Sequence, residues 1–316
     1  MSAILQSNSL FAVRRFKART AAEREAQWLA HRSQGIGGSD MGTIMGLNKY
    51  SSPYELWLEK TGRVDPKDIS GHWPIIKGNL LENELRRWYR RNHRDLRVVS
   101  GTDVSLTSRE HPHMIASLDG VIAGDSRGLG VLECKTASAY RSNDWYDDDG
   151  NLIAPSYYMA QVTHYLAVTG FSWGVFVADI GESSPVEVEF TRDEDDIAAV
   201  VKAAETFWGF VERDETPQLT GMDVDELYPQ DDGDIEDADS NEFDSLAEEY
   251  TRISSEQSEL KKRKEAISNQ LKPMVGEHSG LRSARYQVTY KTTHYKESFR
   301  PAHDARVLRT SEIKEK

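Results

Sequence analysis

The segment GVLECKTA (130–137) places Glu133 and Lys135 one residue apart. In a β-strand alternate side chains share a face, so the carboxylate and the ammonium point one way and Cys134 the other. An exposed ion pair would have the same spacing, and such pairs are common and weak. Asp119 shifts the balance. It ends an apolar run in IASLDGVI, and Gly120 leaves room beside it. If the two runs pair as neighbouring strands, Asp119 and Glu133 converge. Two carboxylates in a half-dry cleft repel one another unless a cation lies between them. Hard oxygen ligands with open water positions suit Mg²⁺ or Mn²⁺. Such a cation activates water and neutralises charge on a phosphoryl group, while Lys135 would orient the nucleophile or stabilise the transition state.

Two further groups have suitable chemistry. Glu82 in KGNLLENE, at the start of a predicted helix, would complete an acidic cradle, although it could equally belong to a solvated helix face, and Glu84 is its rival. Gln161 and Tyr165 are four apart, hence on one side of a helix. Gln161 could position water or phosphate and Tyr165 could support Lys135. A helix with one polar and one core residue would look the same.

These residues need elements to hold them. Residues 20–32 predict a helix, with Thr20 as N-cap and Glu23 completing a capping box. A glycine-rich stretch follows (SQGIGGSDMGTIMG), with a short helical pattern after Ser39-Asp40. Helices are predicted over 53–61, with Pro53 in the first turn and Gly62 as the stop, and over 78–92. The period then changes, predicting strands over 96–106, 113–122 and 130–137, the last two joined by a turn-rich connector. A helix over 155–169 stops at Gly170, strands cover 171–180 and 186–191, and a long helix with an acidic start covers 193–213. This order predicts an α/β (α+β) fold, a central mixed sheet flanked by helices. The core spans 1–220. Residues 221–244 read as an acidic, mobile linker. Residues 245–316 form a C-terminal extension, with a charged helix over 245–272 and a strand pair over 281–299. The cluster Lys261-Lys262-Arg263-Lys264 could contact DNA or form the polar face of a coiled helix.

The 316 residues are ample for one large core. No apolar stretch is long enough to cross a bilayer, and no secretory signal is recognisable, so a cytoplasmic location is expected. A single cysteine excludes an intrachain disulfide or a thiolate-built zinc or iron–sulfur site. The formal charge of −13 argues against nucleic-acid binding at first sight, but eleven acids lie between Asp223 and Asp244 with no Lys or Arg among them. Without them the charge is −2. The early segment, with Arg14, Arg15, Lys17, Arg19, Arg24 and Arg32, is locally basic, and local field decides whether a phosphate backbone is attracted.

Five pieces in order, RSQGIGGSDMGTIMGLNKYSSPYELWLEKTG, GNLLENE, SLDGV, LECKT and AQVTHYLAVTG, resemble the YqaJ-type viral recombinases, the lambda-exonuclease-like branch of the PD-(D/E)xK nucleases. The resemblance runs from about Trp28 to Tyr165. It implies a restriction-endonuclease-like core and metal-dependent 5′-to-3′ digestion of one strand of linear duplex DNA, leaving 3′ single-stranded tails for phage-type recombination. By the resemblance Asp119 and Glu133 are metal carboxylates, joined by Glu82 and the backbone carbonyl of Cys134. Lys135 is the catalytic lysine, Gln161 the glutamine of a Q-x-x-x-Y motif with Tyr165 supporting, and Arg32 and Ser39 bind the 5′ phosphate. A surface arginine and a helix cap are the plainer reading of that last pair. Lys49 and Tyr50 are weaker candidates for DNA contact. Mg²⁺, with Mn²⁺ as substitute, duplex DNA ends, a single-strand annealing protein and a homo-oligomer, as a ring around DNA, are the implied cofactor and partners, in a bacterial host of phage or prophage origin. A restriction-type endonuclease and a non-catalytic DNA-end binding module are the alternatives. The 14 positions from Asp119 to Glu133 make a longer turn than the family pattern, and the region after 220 has no clear counterpart.

Overall fold

Local signals set most element boundaries. In the computed structural model, which describes residues 4–238 and 240–294, β1 (Phe11–Arg15) forms where the sequence predicts only a basic segment. The Glu23 N–H donates to the Thr20 hydroxyl and the Thr20 N–H to the Glu23 carboxylate, so the expected capping box opens α1 (Ala21–Arg32). The glycine-rich stretch contains β2 (Ile36–Gly37) and α2 (Gly38–Ile44), and Ser52 with Pro53 starts α3 (Pro53–Lys60). Then comes α4 (Trp73–Asn92), which begins five residues before the predicted start because Pro74 in its first turn, not Gly78, marks the entry. Glu82 therefore lies in mid-helix.

The predicted strands over 96–106 and 113–122 are each broken in two. β3 (Arg97–Ser100) and β4 (Val104–Ser108) come from the first, β5 (Met114–Ala116) and β6 (Gly120–Asp125) from the second. The breaks fall where the chain leaves one sheet for another. After β7 (Gly128–Thr136), a 3-10 turn covers Ala139–Trp145. Then follow α5 (Ser156–Thr169), β8 (Trp173–Asp179), β9 (Val186–Thr191) and α6 (Glu194–Arg213). Gly170, in the left-handed region at φ 69°, stops α5 as expected, and Asp193 caps α6 through the N–H groups of Asp195 and Asp196.

The larger sheet has the order β3-β6-β7-β8-β9. All its neighbours are antiparallel except β7 and β8. The second sheet has the order β1-β4-β5-β2. The fold is thus the expected mixed α/β architecture with helices flanking mixed sheets. One face of the larger sheet packs under α4 through Leu85, Tyr89, Leu132 and Val177. The other face joins Val131 and Phe176 to Tyr165 and Leu166 of α5. Among the described residues no helix is long and apolar enough to cross a membrane.

His164 lies in this second core, fully buried. Its Nε2 donates to the Ile115 carbonyl at 3.0 Å and its Nδ1 has no partner among the described residues. Burial, the largest influence, pushes its pKa down to about 4 from 6.5. The unfolded chain therefore takes up a proton before the native state does. Stability held above pH 6.5 is lost as the pH falls towards 4, by about 3 kcal/mol at most. Denaturant titrations at the two ends of this window should show that loss in the parent and not in His164→Asn. Equal slopes in both would remove His164 as the cause.

The chain divides between Val224 and Asp225 into two compact units. The acidic stretch is not a featureless linker. It begins with α7 (Gly221–Leu227), and Asp223, expected to be solvated, is buried, accepting from the Ser52 hydroxyl and from the Thr220 N–H and hydroxyl. In the second unit α8 (Asn241–Val275) starts at a Ser240 cap, four residues before the predicted start. It continues through Pro273 to Gly276. The predicted strand pair is the short hairpin β10 (Gly280–Arg282) and β11 (Gln287–Thr289). Positions 295–299 of that expectation lie outside the described residues.

Candidate active site

The antiparallel register of β6 on β7 pairs Gly120 with Leu132 and Val121 with Val131. One step further places Asp119 opposite Glu133, and directly opposed residues of antiparallel strands share a face. Alternation adds Lys135 to that face and turns Cys134 to the α4 side, where it packs against the cluster that holds Leu85 and Tyr89 and its thiol reaches the Glu82 carbonyl at 3.5 Å. Asp119 Oδ2 accepts from the Cys134 N–H at 2.8 Å, at the edge where β6 has ended. The N–H and C=O of a strand residue leave on the same edge, so the Cys134 carbonyl is directed there too.

Glu133 is 2% exposed. Its Oε1 accepts from Lys135 Nζ at 2.8 Å and from Gln161 Nε2 at 2.6 Å. Its Oε2 is buried with no partner among the described residues. Gln161 uses both ends of its amide, since its Oε1 accepts from Lys135 Nζ at 2.8 Å and its Nε2 also reaches the Tyr165 hydroxyl at 2.9 Å. Lys135 lies over the ring of Tyr158, 4.6 Å from its centre. Burial pushes the Glu133 carboxyl up, against the pull of Lys135. Burial, with the Glu133 and Glu82 charges behind it, pushes Asp119 well above the usual carboxylate range.

The expected metal fits part of this arrangement. An orphaned buried carboxylate oxygen beside a second carboxylate that resists ionisation is relieved by a hard cation. Among the described residues no three His, Cys, Asp or Glu side chains form a ready cage. Mg²⁺ does not need one, because it keeps several waters and takes one or two carboxylates. Glu82 is on the same cavity wall, but its carboxylate is paired with Arg86, which also donates to the Asp119 carbonyl at 2.7 Å. Its rival Glu84 is exposed and paired with Arg87.

A cavity of about 520 Å³ joins these groups to the glycine-rich stretch: Arg32, Ser39, Glu82, Asp119, Glu133 and Gln161 all line it, with Tyr165. Arg32 donates to the Ser39 hydroxyl and, at 3.0 Å, to Asp40, and lies 5.2 Å from the centre of the Trp28 ring. Asp40 is buried and also holds Lys60 at 2.8 Å and the Gly37 N–H at 2.9 Å. Burial opposes ionisation of Asp40, but Arg32 and Lys60 keep its carboxyl well below the usual range. The loop approaches α5 so closely that a Cβ at Gly38 would stand 2.4 Å from the Tyr165 ring, which only glycine allows. Asp40, Lys60, Arg86 and Tyr158 are parts of the site that sequence reasoning did not reach. What ties them to the site is distant in sequence: Lys60 to Asp40, Arg86 to the Asp119 carbonyl and Tyr158 to Lys135. Tyr50 is exposed and accepts from Arg141 at 2.9 Å, and neither Tyr50 nor Lys49 lines the cavity.

Comparison with known proteins gives relatives of the sequence and similar solved structures. Residues 27–172 match the YqaJ-like viral recombinase domain, a span that contains every predicted site residue. Protein YqaJ of Bacillus subtilis (strain 168) is 32% identical over 275 residues, covering 84% of this chain and 82% of that protein. Among solved structures, the alkaline exonuclease LHK-Exo of Laribacter hongkongensis has a TM-score of 0.47 at 18% identity, covering 60% of this chain and 93% of its own. A phage-related exonuclease from Haemophilus somnus 129PT has a TM-score of 0.39 at 17% identity, covering 57% and 96%. Sharing about a third of its residues with YqaJ along most of both chains, and matching the domain profile across the whole of its candidate site, the protein belongs to the YqaJ-like viral recombinase family.

Proposed function

We propose that the protein is a Mg²⁺-dependent exonuclease that degrades one strand of linear duplex DNA from its 5′ end, leaving 3′ single-stranded tails for recombination. The observation that carries this reading is one cavity lined both by Asp119, Glu133 and Gln161 and by Arg32 and Ser39. The first set suits the scissile phosphodiester and the second a terminal phosphate.

Asp119 and Glu133 would hold the cation, with the Cys134 carbonyl beside them and Glu82 within electrostatic reach. When bound, the cation supplies an activated water and neutralises phosphoryl charge. Arg32 and Ser39 anchor the 5′ phosphate through donors suited to its oxygens. Lys135, fixed by Glu133, Gln161 and the Tyr158 ring, presents its ammonium towards the phosphoryl group and the attacking water. Water adds to phosphorus and the P–O3′ bond breaks. The departing 3′ oxygen takes a proton, and the next nucleotide retains a 5′ phosphate. Each cut thus regenerates the group that Arg32 and Ser39 recognise. A single-strand annealing protein is the partner that such tails call for.

The test is digestion of a linear duplex labelled at either terminus, with Mg²⁺ or Mn²⁺ and with chelator, alongside a closed circle. Loss of the 5′ label first, no cutting of the circle and no activity with chelator are expected. Cutting of the circle would make the protein an endonuclease, and binding of ends without digestion would make it a non-catalytic end-binding module. Arg32→Ala should lower the preference for 5′-phosphorylated over 5′-hydroxyl ends by roughly tenfold, the worth of a charge-assisted hydrogen bond. An unchanged ratio of rates would rule out that role.

A further inference from the structure

Helix α8 carries a feature that the nuclease reading does not use. From Phe243 to Met274 its apolar residues recur at alternating intervals of three and four, beginning Phe243, Leu246, Tyr250 and Ile253. Gln257 and Lys264 occupy two of the ten positions. This is the heptad spacing of a coiled-coil seam, and isolated polar residues in such a seam fix register. The seam lies open: Phe243 is 57%, Leu246 61% and Leu260 65% exposed. Along a helix of this length it runs for about 47 Å.

The seam is self-complementary when one copy is reversed. Turning the helix about its midpoint, between Ser258 and Glu259, exchanges Phe243 with Met274, Leu246 with Leu271 and Tyr250 with Ile267. The same operation sets Ile253 opposite Lys264 and Gln257 opposite Leu260, so all ten positions find a counterpart. Charge follows the same axis. Asn241–Glu259 contains six acids and one arginine, while Leu260–Val275 contains five bases and one acid. A parallel pair would set acid against acid. A reversed pair sets the acidic half against the basic half and brings Glu256 beside Arg263 of a second copy. The helix dipole does not account for this division, because its influence ends within the first and last turns, whereas the acids continue past mid-helix.

We infer that α8 pairs with α8 of a second copy of this chain as an antiparallel two-stranded coiled coil. The cluster Lys261–Lys264 then serves assembly, lying against the acidic half of the second copy.

The full-length chain with Leu246→Cys and Leu271→Cys together tests this, the unsubstituted chain controlling for Cys134. Both positions are exposed, so the fold does not depend on them. Within one helix they are about 38 Å apart and cannot bridge. Mild oxidation is expected to give a covalent dimer as the main product from the double variant and from a mixture of the two single variants, and none from either single variant alone. Self-linking of Leu246→Cys alone would overturn the antiparallel arrangement. Absence of linkage throughout, whether the seam meets its own chain or a different protein, would overturn self-pairing. A second arm is independent of cysteine. Arg263→Glu should raise the dimer dissociation constant about tenfold by sedimentation, since two copies of the pair turn repulsive. Adding Glu256→Arg should restore it. A double variant no tighter than the single one counts against the proposed register.

Discussion

Lys135→Ala is expected to slow digestion of linear duplex DNA by roughly 10²–10³-fold while leaving end binding in place. Its ammonium does two jobs. It shares the Glu133 face of β7 as a preorganised positive charge, and among the described residues it is the one cation bonded to the buried Glu133 carboxylate. Without it, Glu133 keeps, among the described residues, the Gln161 amide alone, and its carboxyl moves further up. The variant should therefore also need more Mg²⁺ for half-maximal rate. Single-turnover rates across a metal titration separate the effects. Saturating metal recovers the part owed to Glu133 and not the part owed to the missing charge. Digestion within a few-fold of the parent at all metal concentrations would show that Lys135 takes no part. Asp119→Ala should be inactive at every metal concentration.

Asp40→Ala is expected to cost about 3–5 kcal/mol of stability, because it strands a buried charge. Lys60, 6% exposed at its side chain, has Asp40 as its ion-pair partner, its other bonds being to backbone carbonyls. Arg32 is a third exposed and can re-solvate, so it contributes less to the loss. The remedy discriminates between roles. Asp40→Leu with Lys60→Met removes both charges and should recover most of the stability, since a buried ion pair replaced by apolar groups of similar volume is often neutral. It should not recover the preference for 5′-phosphorylated ends, because Arg32 has lost the carboxylate that aims it. Denaturant melts and rate ratios on the two kinds of end measure the two effects. A stable Asp40→Ala protein would show that Lys60 finds another partner or water.

The parts of this fold that were legible in the sequence are those governed by neighbours a few residues apart. The Thr20–Glu23 capping box, the entry at Pro53 and the stop at Gly170 are local devices. So is alternation along β7, which places Glu133 and Lys135 together and Cys134 apart. Contacts across the chain were not legible. β1 looked like a basic arm because its pairing with β4 depends on residues near 106. Two strands were read where there are four, since apolar alternation continues almost unbroken through a change of sheet. Glu82 was recognisable as a carboxylate near the site and its pairing with Arg86 is a local four-residue spacing, but the bond from Arg86 to the Asp119 carbonyl depends on how α4 lies across the sheet. Asp223 shows the same limit from the other side. Composition marks it as one solvated acid among many, and only the distant Ser52 buries it.

The two sheet changes lie side by side. A Cβ on Gly101 would come within 1.9 Å of the Leu118 carbonyl oxygen, and the Gly101 N–H holds the Asp119 carbonyl at 3.1 Å. Asp119 thus sits on a joint where two plates are stitched together, in the last residue before the chain enters the larger plate. A shift of one plate against the other would act first on that carboxylate, while Glu133 and Lys135 lie on β7, paired to β8 at Phe176 and Ala178. The placement of Asp119 depends on this joint, and substitutions at Gly101 or Leu118, which line the same cavity, would shift that carboxylate without replacing it.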